Sequence, residues 1–359
     1  MELEIKLAYD NNREIKELFL EYTEMLVKND SSFAKYLQLQ NYDSELEHLA
    51  DKYGLSDGRL YIVKVNNEVA GCIALRKIDC ENCEMKRLYV RSAFRGHKIA
   101  NKLVEIIIED AKRIGYKSML LDTLPFLEGA IHLYRKFGFY EIESYNNSPM
   151  DTSIYMKLDL LNEFLEKSEY IDYESDLIIS KAQRLFNNNM TNVEKAQTAY
   201  LFVRDEIPHS FDCSTSIITA TASDVLKYKT GICHAKANLL AALLRSQGIP
   251  TGFCFQHLTL MDDDTEGYCL HCYNAIMLEN KWIKVDARGN TKGKNAQFSM
   301  DTPILAFENR PQYDEYFFDG IFPKPDLPTM EMLRFAENIQ DVIDGLPEKP
   351  FGRPNIYIK

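Results

Sequence analysis

The periodicity of this chain changes between residues 159 and 175, and the two sides of the change call for separate cores. Upstream, strand-like alternation is interleaved with amphipathic helical runs. Downstream, a helical block over 176–206 leads into a compact apolar helix and only then into strands. A length of 359 residues is enough for two domains, each with its own core. The expected division is residues 1–159, a charged and partly helical connector at 160–175, and residues 176–359. Pro323, Pro325, Pro328, Pro347, Pro350 and Pro354 surround one short helical run near the end, so this segment is expected to wrap over the second domain.

In the first domain an amphipathic stretch from Asn11 to Lys28 precedes strand-like runs at Leu60–Val65, Val69–Ile78 and Glu84–Val90. A helix over Lys98–Ile114, a strand over Lys117–Asp122, a helix over Leu127–Phe137 and two closing strands follow. Gly115 and Gly138 stand where helices end in the left-handed conformation. The mixture specifies an α/β domain with a mixed sheet.

Within it, EMKRLYVRSAFRGHKIANKLVEIIIEDAKRIGY places a strand, a turn and a long helix in succession. A strand feeding a helix N-terminus presents unpaired amides and the positive end of the dipole to an anion such as pyrophosphate. This segment resembles the acetyl-CoA signature of the GNAT acetyltransferase superfamily, and the resemblance covers nearly all of residues 3–158. Arg95 and Ala100 match the signature and Gly96 is common in that loop, whereas Lys98 stands where glycine is usual. The resemblance implies acetyl-CoA as co-substrate, held along Leu88, Tyr89 and Val90 and by Arg95, Gly96, His97, Lys98, Ile99 and Ala100. AIHLYRKFGFYEI (130–142) matches the segment flanking the CoA thiol, which implies Tyr134 as the acid protonating the leaving thiolate and Glu84 as the base for the amine.

In the second domain, Thr230-Gly231-Ile232-Cys233 precedes the helical run HAKANLLAALLRSQG, so Cys233 falls at the first turn of a buried helix, where the positive end favours a thiolate. Downstream, HCYNAIMLENKWIKVDARGN reads as a hairpin with a two-residue loop at Glu279-Asn280. That register sets Tyr273 opposite Asp286 and His271 opposite Arg288, placing His271 and Asp286 diagonally on one face. The order Cys233, His271, Asp286, with Trp282 before the aspartate, resembles the triad of the transglutaminase-like superfamily, over about residues 226–297. It implies an α+β cysteine-enzyme fold and an acyl-thioester intermediate, the Cys233 amide serving as oxyanion donor. His234 is a weaker base candidate, and His209 and His257 are expected to be structural or rim residues.

The combined expectation is a bifunctional enzyme, an acetyl-CoA-dependent N-acetyltransferase joined to a transglutaminase-like cysteine peptidase or amidase. Its substrates would be a small-molecule amine or a protein or peptide. Alternatives are a first domain that only binds CoA as a sensor or scaffold, and a second domain like the arylamine acetyltransferases, although the Arg-Gly-Gly lead-in of that family is missing before Cys233. A net charge of -12 argues against nucleic acid and anionic membranes as partners. Acids from the second residue onward argue against a signal peptide or anchor. Eight cysteines then read as reduced thiols in a cytoplasmic protein. The pairs Cys80/Cys83 and Cys269/Cys272 lie too far apart for a zinc ribbon, and no metal is expected.

Overall fold

A computed structural model describes residues 2–39, 41–146, 148, 150–213, 215–260, 267–291 and 293–357. The chain divides into two compact units, residues 1–160 and 161–359.

The first unit begins with strand β1 (Leu3–Leu7) and helices α1 (Asn12–Asn29), α2 (Phe33–Leu39), α3 (Tyr42–Glu47) and α4 (Leu49–Tyr53). Strands β2 (Arg59–Val65), β3 (Glu68–Lys77) and β4 (Asn82–Val90) form a meander, then come α5 (Ile99–Ile114), β5 (Ser118–Thr123), α6 (Glu128–Lys136), β6 (Tyr140–Ile142) and β7 (Ile154–Asp159). The sheet order is β1-β2-β3-β4-β5-β7-β6. Only β4 and β5 run parallel, so the sheet is mixed as expected. Helix α1 buries Ile15, Leu18, Phe19 and Leu26, one stripe of its amphipathic face, as helical spacing requires.

Two features of β4 shape the site. Its pairing with β5 covers only Asn82–Glu84 against Ser118–Leu120, and beyond Glu84 the two strands part. Its pairing with β3 shifts register near Cys72 and Ala74, where Arg87 takes a left-handed conformation at φ 57°. The Arg87 guanidinium is there buried in a two-pronged ion pair with Glu45 of α3, at 2.7 and 2.9 Å.

The second unit contains helices α7 (Asp176–Leu185), α8 (Asn192–Glu206), α9 (Ala222–Tyr228) and α10 (Cys233–Arg245). Strands β8 (Thr251–Thr259), β9 (Tyr268–Leu278), β10 (Lys281–Val285) and β11 (Tyr316–Phe317) form a sheet in the order β10-β9-β8-β11. Helices α11 (Leu327–Phe335) and α12 (Ile339–Gly345) follow. The helical block expected over 176–206 is two helices, because Thr191 and Glu194 form a reciprocal capping box that starts α8 afresh.

Helix α10 lies at the centre, buried from His234 to Arg245. Its apolar residues join those of α7–α9 and the sheet in one core. Its polar side chains donate to backbone carbonyls, although Asn238 Oδ1 and His234 Nδ1 are buried without a partner among the described residues. Asn238 donates to Ala220, and Arg245 donates to Thr251, Glu166 and Pro323.

The stretch expected as a connector belongs to this unit. Phe164 is fully buried against Trp282 at 4.9 Å, and Ile171 joins the core. Its charged composition hid these apolar anchors. In the C-terminal segment Phe322 is bridged to Phe253 and Ile321 to Ile356, and the segment carries two short helices where one helical run was expected. Asp326 caps α11, whose second position is Pro328, where a missing N–H costs nothing.

Candidate active sites

The structure brings Cys233, His271 and Asp286 together. Cys233 opens α10, so its sulfur sits at the positive helix end. His271 lies on β9, and Asp286 directly follows β10. The hairpin register is the expected one, with Leu278 opposite Lys281 and Asn274 opposite Val285. Glu279 and Asn280 both have positive φ, at 48° and 61°, as a two-residue turn of this kind requires. His271 Nε2 lies 2.8 Å from Asp286 Oδ2. The Cys233 sulfur lines the same cleft as the imidazole, close enough for each group to shift the other's titration.

The electrostatics favour a thiolate and an imidazolium. Burial pulls the His271 pKa down, but the Asp286 carboxylate and the Cys233 sulfur outweigh it and hold it up at about 10. Burial pushes the Cys233 thiol up, yet the His271 charge, its hydrogen bond and the Cys272 amide bring it below the usual thiol value. Asp286 also accepts from the amides of Arg288 (3.0 Å) and Ala306 (3.1 Å). These contacts and His271 hold it below the usual carboxylate range despite burial.

One expectation about this site is corrected. The Cys233 amide, expected to face an oxyanion, donates to His209 Nε2 at 3.1 Å. His209 is bridged to Gly231, where an added Cβ would come within 3.1 Å of the Thr219 hydroxyl and 3.2 Å of Ala235 Cβ. The glycine therefore permits the close packing of this turn against Thr219 and the start of α10. Burial, together with the charges of Arg288 and Lys236, depresses the His209 pKa well below normal. Lys236, one turn along α10 from Cys233, donates to the carbonyls of Ile207 and Arg288, and burial lowers its own pKa to about 7.

His234 points elsewhere, to the Leu270 carbonyl at 2.8 Å. His257 is stacked between Tyr268 and Tyr316 and contacts the Glu348 carbonyl. Cys233, His209 and His271 line a cleft of ≈ 510 Å³. Its other walls include Asp212, Arg288, Phe307 and three residues from the α12 region, Ile339, Ile343 and Leu346. Sequence reasoning did not assign these to the site. His209 is 24 positions before the nucleophile, and only the fold juxtaposes them.

The first unit has a second cleft, where β4 and β5 part. Tyr134 lines it, with Leu88, Met85, Lys86, Arg87, Asp122 and Tyr36. Tyr134 is buried, and burial with the nearby Tyr22 and Asp122 raises its pKa above the ordinary phenol value. Tyr89 and Val90 continue β4 beyond the point where it pairs with β5. Arg95 folds back onto the Val90 carbonyl at 3.0 Å. Gly96 and Lys98 have positive φ, 85° and 58°, and no side chain caps α5. His97 is exposed and Ile99 is buried, with Ala100 half-buried behind it in the first turn. Lys98 thus keeps the left-handed backbone for which glycine is the usual residue.

Glu84 lies elsewhere than the GNAT resemblance implied. It is fully buried at the last β4–β5 pair and does not line the cleft. Arg76, Lys86 (3.3 Å) and the Tyr145 hydroxyl (2.6 Å) engage its carboxylate. The carboxylate that does face the cleft is Asp122, which accepts from Tyr36 at 2.5 Å and lies 3.5 Å from Lys86. Burial raises its pKa, but Lys86 and these hydrogen bonds leave it below normal.

Among the described residues no group of three or more His, Cys, Asp or Glu is placed to hold a metal, and no helix is long and apolar enough to cross a membrane.

Residues 15–139 match the acetyltransferase (GNAT) family model, and residues 179–287 match that of the transglutaminase-like superfamily. An uncharacterized N-acetyltransferase of Dictyostelium discoideum is 33% identical over 222 residues, covering 45% of this chain and 100% of the relative. One from Schizosaccharomyces pombe is 40% identical over 130 residues, covering 36% of this chain and 80% of the relative. An acetyltransferase structure from Streptococcus agalactiae aligns with 44% of this chain and 98% of its own, at 21% identity and a TM-score of 0.37. The chain belongs to the GNAT acetyltransferase family through its first unit and carries a transglutaminase-like domain in its second.

Proposed function

We propose that the protein is bifunctional, an acetyl-CoA-dependent N-acetyltransferase joined to a cysteine enzyme that hydrolyses or transfers the acyl group of peptide-like amides. The observation that carries the second activity is the position of His271, hydrogen-bonded to Asp286 and lining one cleft with Cys233, whose sulfur shifts its titration upward.

The Cys233 thiolate attacks the amide carbonyl carbon and forms a C–S bond. As the C–N bond breaks, His271 gives its proton to the departing amine. The neutral imidazole then takes a proton from water, whose oxygen joins the acyl carbon. The thioester opens, an acid leaves and the thiolate–imidazolium pair is restored. Asp286 keeps the ring oriented and stabilises its charge throughout. An amine in place of the water gives acyl transfer.

In the first unit, the uncapped amides at the start of α5 and the loop of Arg95, Gly96 and Lys98 suit the pyrophosphate of acetyl-CoA. The β4 edge left open beyond Glu84 suits its extended arm. Tyr134, lining the cleft, serves in this reading as the acid for the leaving thiolate, a role its raised pKa supports by keeping the hydroxyl protonated at neutral pH. Asp122, ionised and facing the cleft, is placed to bind the ammonium of the acceptor.

Incubation of the whole protein with acetyl-CoA and a peptide library, followed by mass spectrometry, tests both activities. Acetylation adds an acetyl group, hydrolysis splits a peptide or converts an amide to an acid, and transfer joins two substrates. A library unchanged by any of these reactions contradicts the proposal. Binding is read separately by thermal shift, because acetyl-CoA at about 100 times its Kd stabilises the fold by about 2.7 kcal/mol.

A further inference from the structure

We propose that the cleft beside Cys233 selects substrates whose acyl portion carries an apolar side chain, and that α12 supplies the wall that reads it. This inference rests on the thiol-enzyme reading above.

The first observation is the orientation of α12. Val342 turns inward, joining Met330 and Leu333 in a small core against which Leu346 is also partly packed. Ile339 and Ile343, four residues apart, line the cleft and remain only partly buried, and Leu346 just past the helix lines it as well. An apolar helical stripe is ordinarily consumed by a core. Here it faces open space in front of a nucleophile.

The helix is also fixed there. Asn338 and Asp341 form a capping box at its start. At its other end the Pro347 carbonyl accepts from the Leu270 amide of β9 at 2.7 Å, one residue from His271. The position of the stripe is therefore set by the same strand that carries the catalytic histidine.

The second observation is that the Asp212 carboxylate and the Thr259 hydroxyl, which line the cleft, are already paired. Asp212 is held by the Arg288 guanidinium and by the Thr291 hydroxyl at 2.6 Å. The Thr259 hydroxyl donates to Glu315 at 3.0 Å and accepts from Arg310 at 2.6 Å. A carboxamide or carboxylate entering beside these two groups would give up water and have to compete for partners already engaged. An aliphatic or aromatic group would lose nothing and would cover Ile343, Leu258 and Phe307. At ≈ 510 Å³ the cleft is of the size that holds a small organic ligand, enough for an acyl residue and part of its neighbour.

The test uses the full-length protein and two chloroacetamides, one N-isobutyl and one N-(2-carbamoylethyl). The rate at which each alkylates Cys233 is followed by peptide mass spectrometry and divided by its rate with free glutathione. The pocket predicts a normalised preference of at least about tenfold for the isobutyl reagent. It also predicts that Ile343→Asn and, separately, Ile339→Asn reduce the preference, the ratio within each variant cancelling changes in thiol reactivity. Equal or reversed preference, or a preference untouched in both variants, overturns the inference while leaving the thiol reading standing. A Cys233 no more reactive towards iodoacetamide than the other cysteines overturns the thiol reading and this inference with it.

Discussion

His271 and Asp286 are joined by a 2.8 Å hydrogen bond across a hairpin whose turn, Glu279-Asn280, is two residues long. One more residue in that turn would put the two side chains on opposite faces of the sheet. The bond fixes the ring in the cleft that Cys233 also lines, and the carboxylate favours the charged form of the ring.

Asp286→Asn keeps the size of the side chain but removes that charge. Turnover by the second unit is expected to fall about 10⁴-fold, with the fold retained. The His271 pKa, measured by NMR, is expected to drop from about 10 towards the ordinary imidazole range. Unchanged turnover would remove Asp286 from the mechanism.

Tyr134→Phe is expected to lower kcat for acetyl transfer by about 10²-fold or more while leaving the KM for acetyl-CoA nearly unchanged, since the hydroxyl acts in the transition state rather than in binding. Steady-state kinetics on any accepted amine decides it. Glu84→Gln is expected instead to lower stability, because Arg76 and Lys86 lose a fully buried partner.

Glu45 and Arg87 predict the acid behaviour of the first unit. Burial raises the Glu45 pKa, but Arg87 and Lys52 outweigh it and hold it at about 2, against 4.5 when unperturbed. A depressed carboxylate contributes stability that is fully present above pH 4.5 and is lost as pH falls towards 2, here about 3 kcal/mol. Glu45→Gln leaves Arg87 buried without its counter-charge and is expected to cost about 3–5 kcal/mol in urea unfolding. Its unfolding free energy should also lose most of this pH dependence.

Lys98 occupies a left-handed position at φ 58°. Lys98→Gly relieves that conformation, and stability is expected to rise by about 1 kcal/mol in the same assay. If the backbone alone forms the phosphate cradle, acetyl-CoA affinity is retained or improved. A loss of affinity would show that the lysine charge contributes to binding.

Much of this was legible in the sequence, for identifiable reasons. The hairpin register followed from a two-residue turn and period-two alternation, and with it the approach of His271 to Asp286. The cysteine at a helix start followed from Gly231-Ile232-Cys233 before a long apolar run. Strand β1 and helices α2, α3 and α4 went unread because segments of five to seven residues are too short to display a period. The placement of Glu84 was missed because a strand residue's environment depends on where β4 and β5 separate, which is a property of the sheet. Asp122, the bond from the Cys233 amide to His209 and the α12 wall were missed for a similar reason, since contacts between distant segments carry no local pattern.

The account depends most on Cys233 being a thiolate at neutral pH. The direct measurement is the rate of Cys233 alkylation by iodoacetamide as a function of pH, in the parent protein and in His271→Ala, read by peptide mass spectrometry. The account predicts that Cys233 reacts faster than every other cysteine at pH 7, with a midpoint below the usual thiol value that moves upward when His271 is removed. A midpoint at the ordinary value, the same with and without His271, would contradict it.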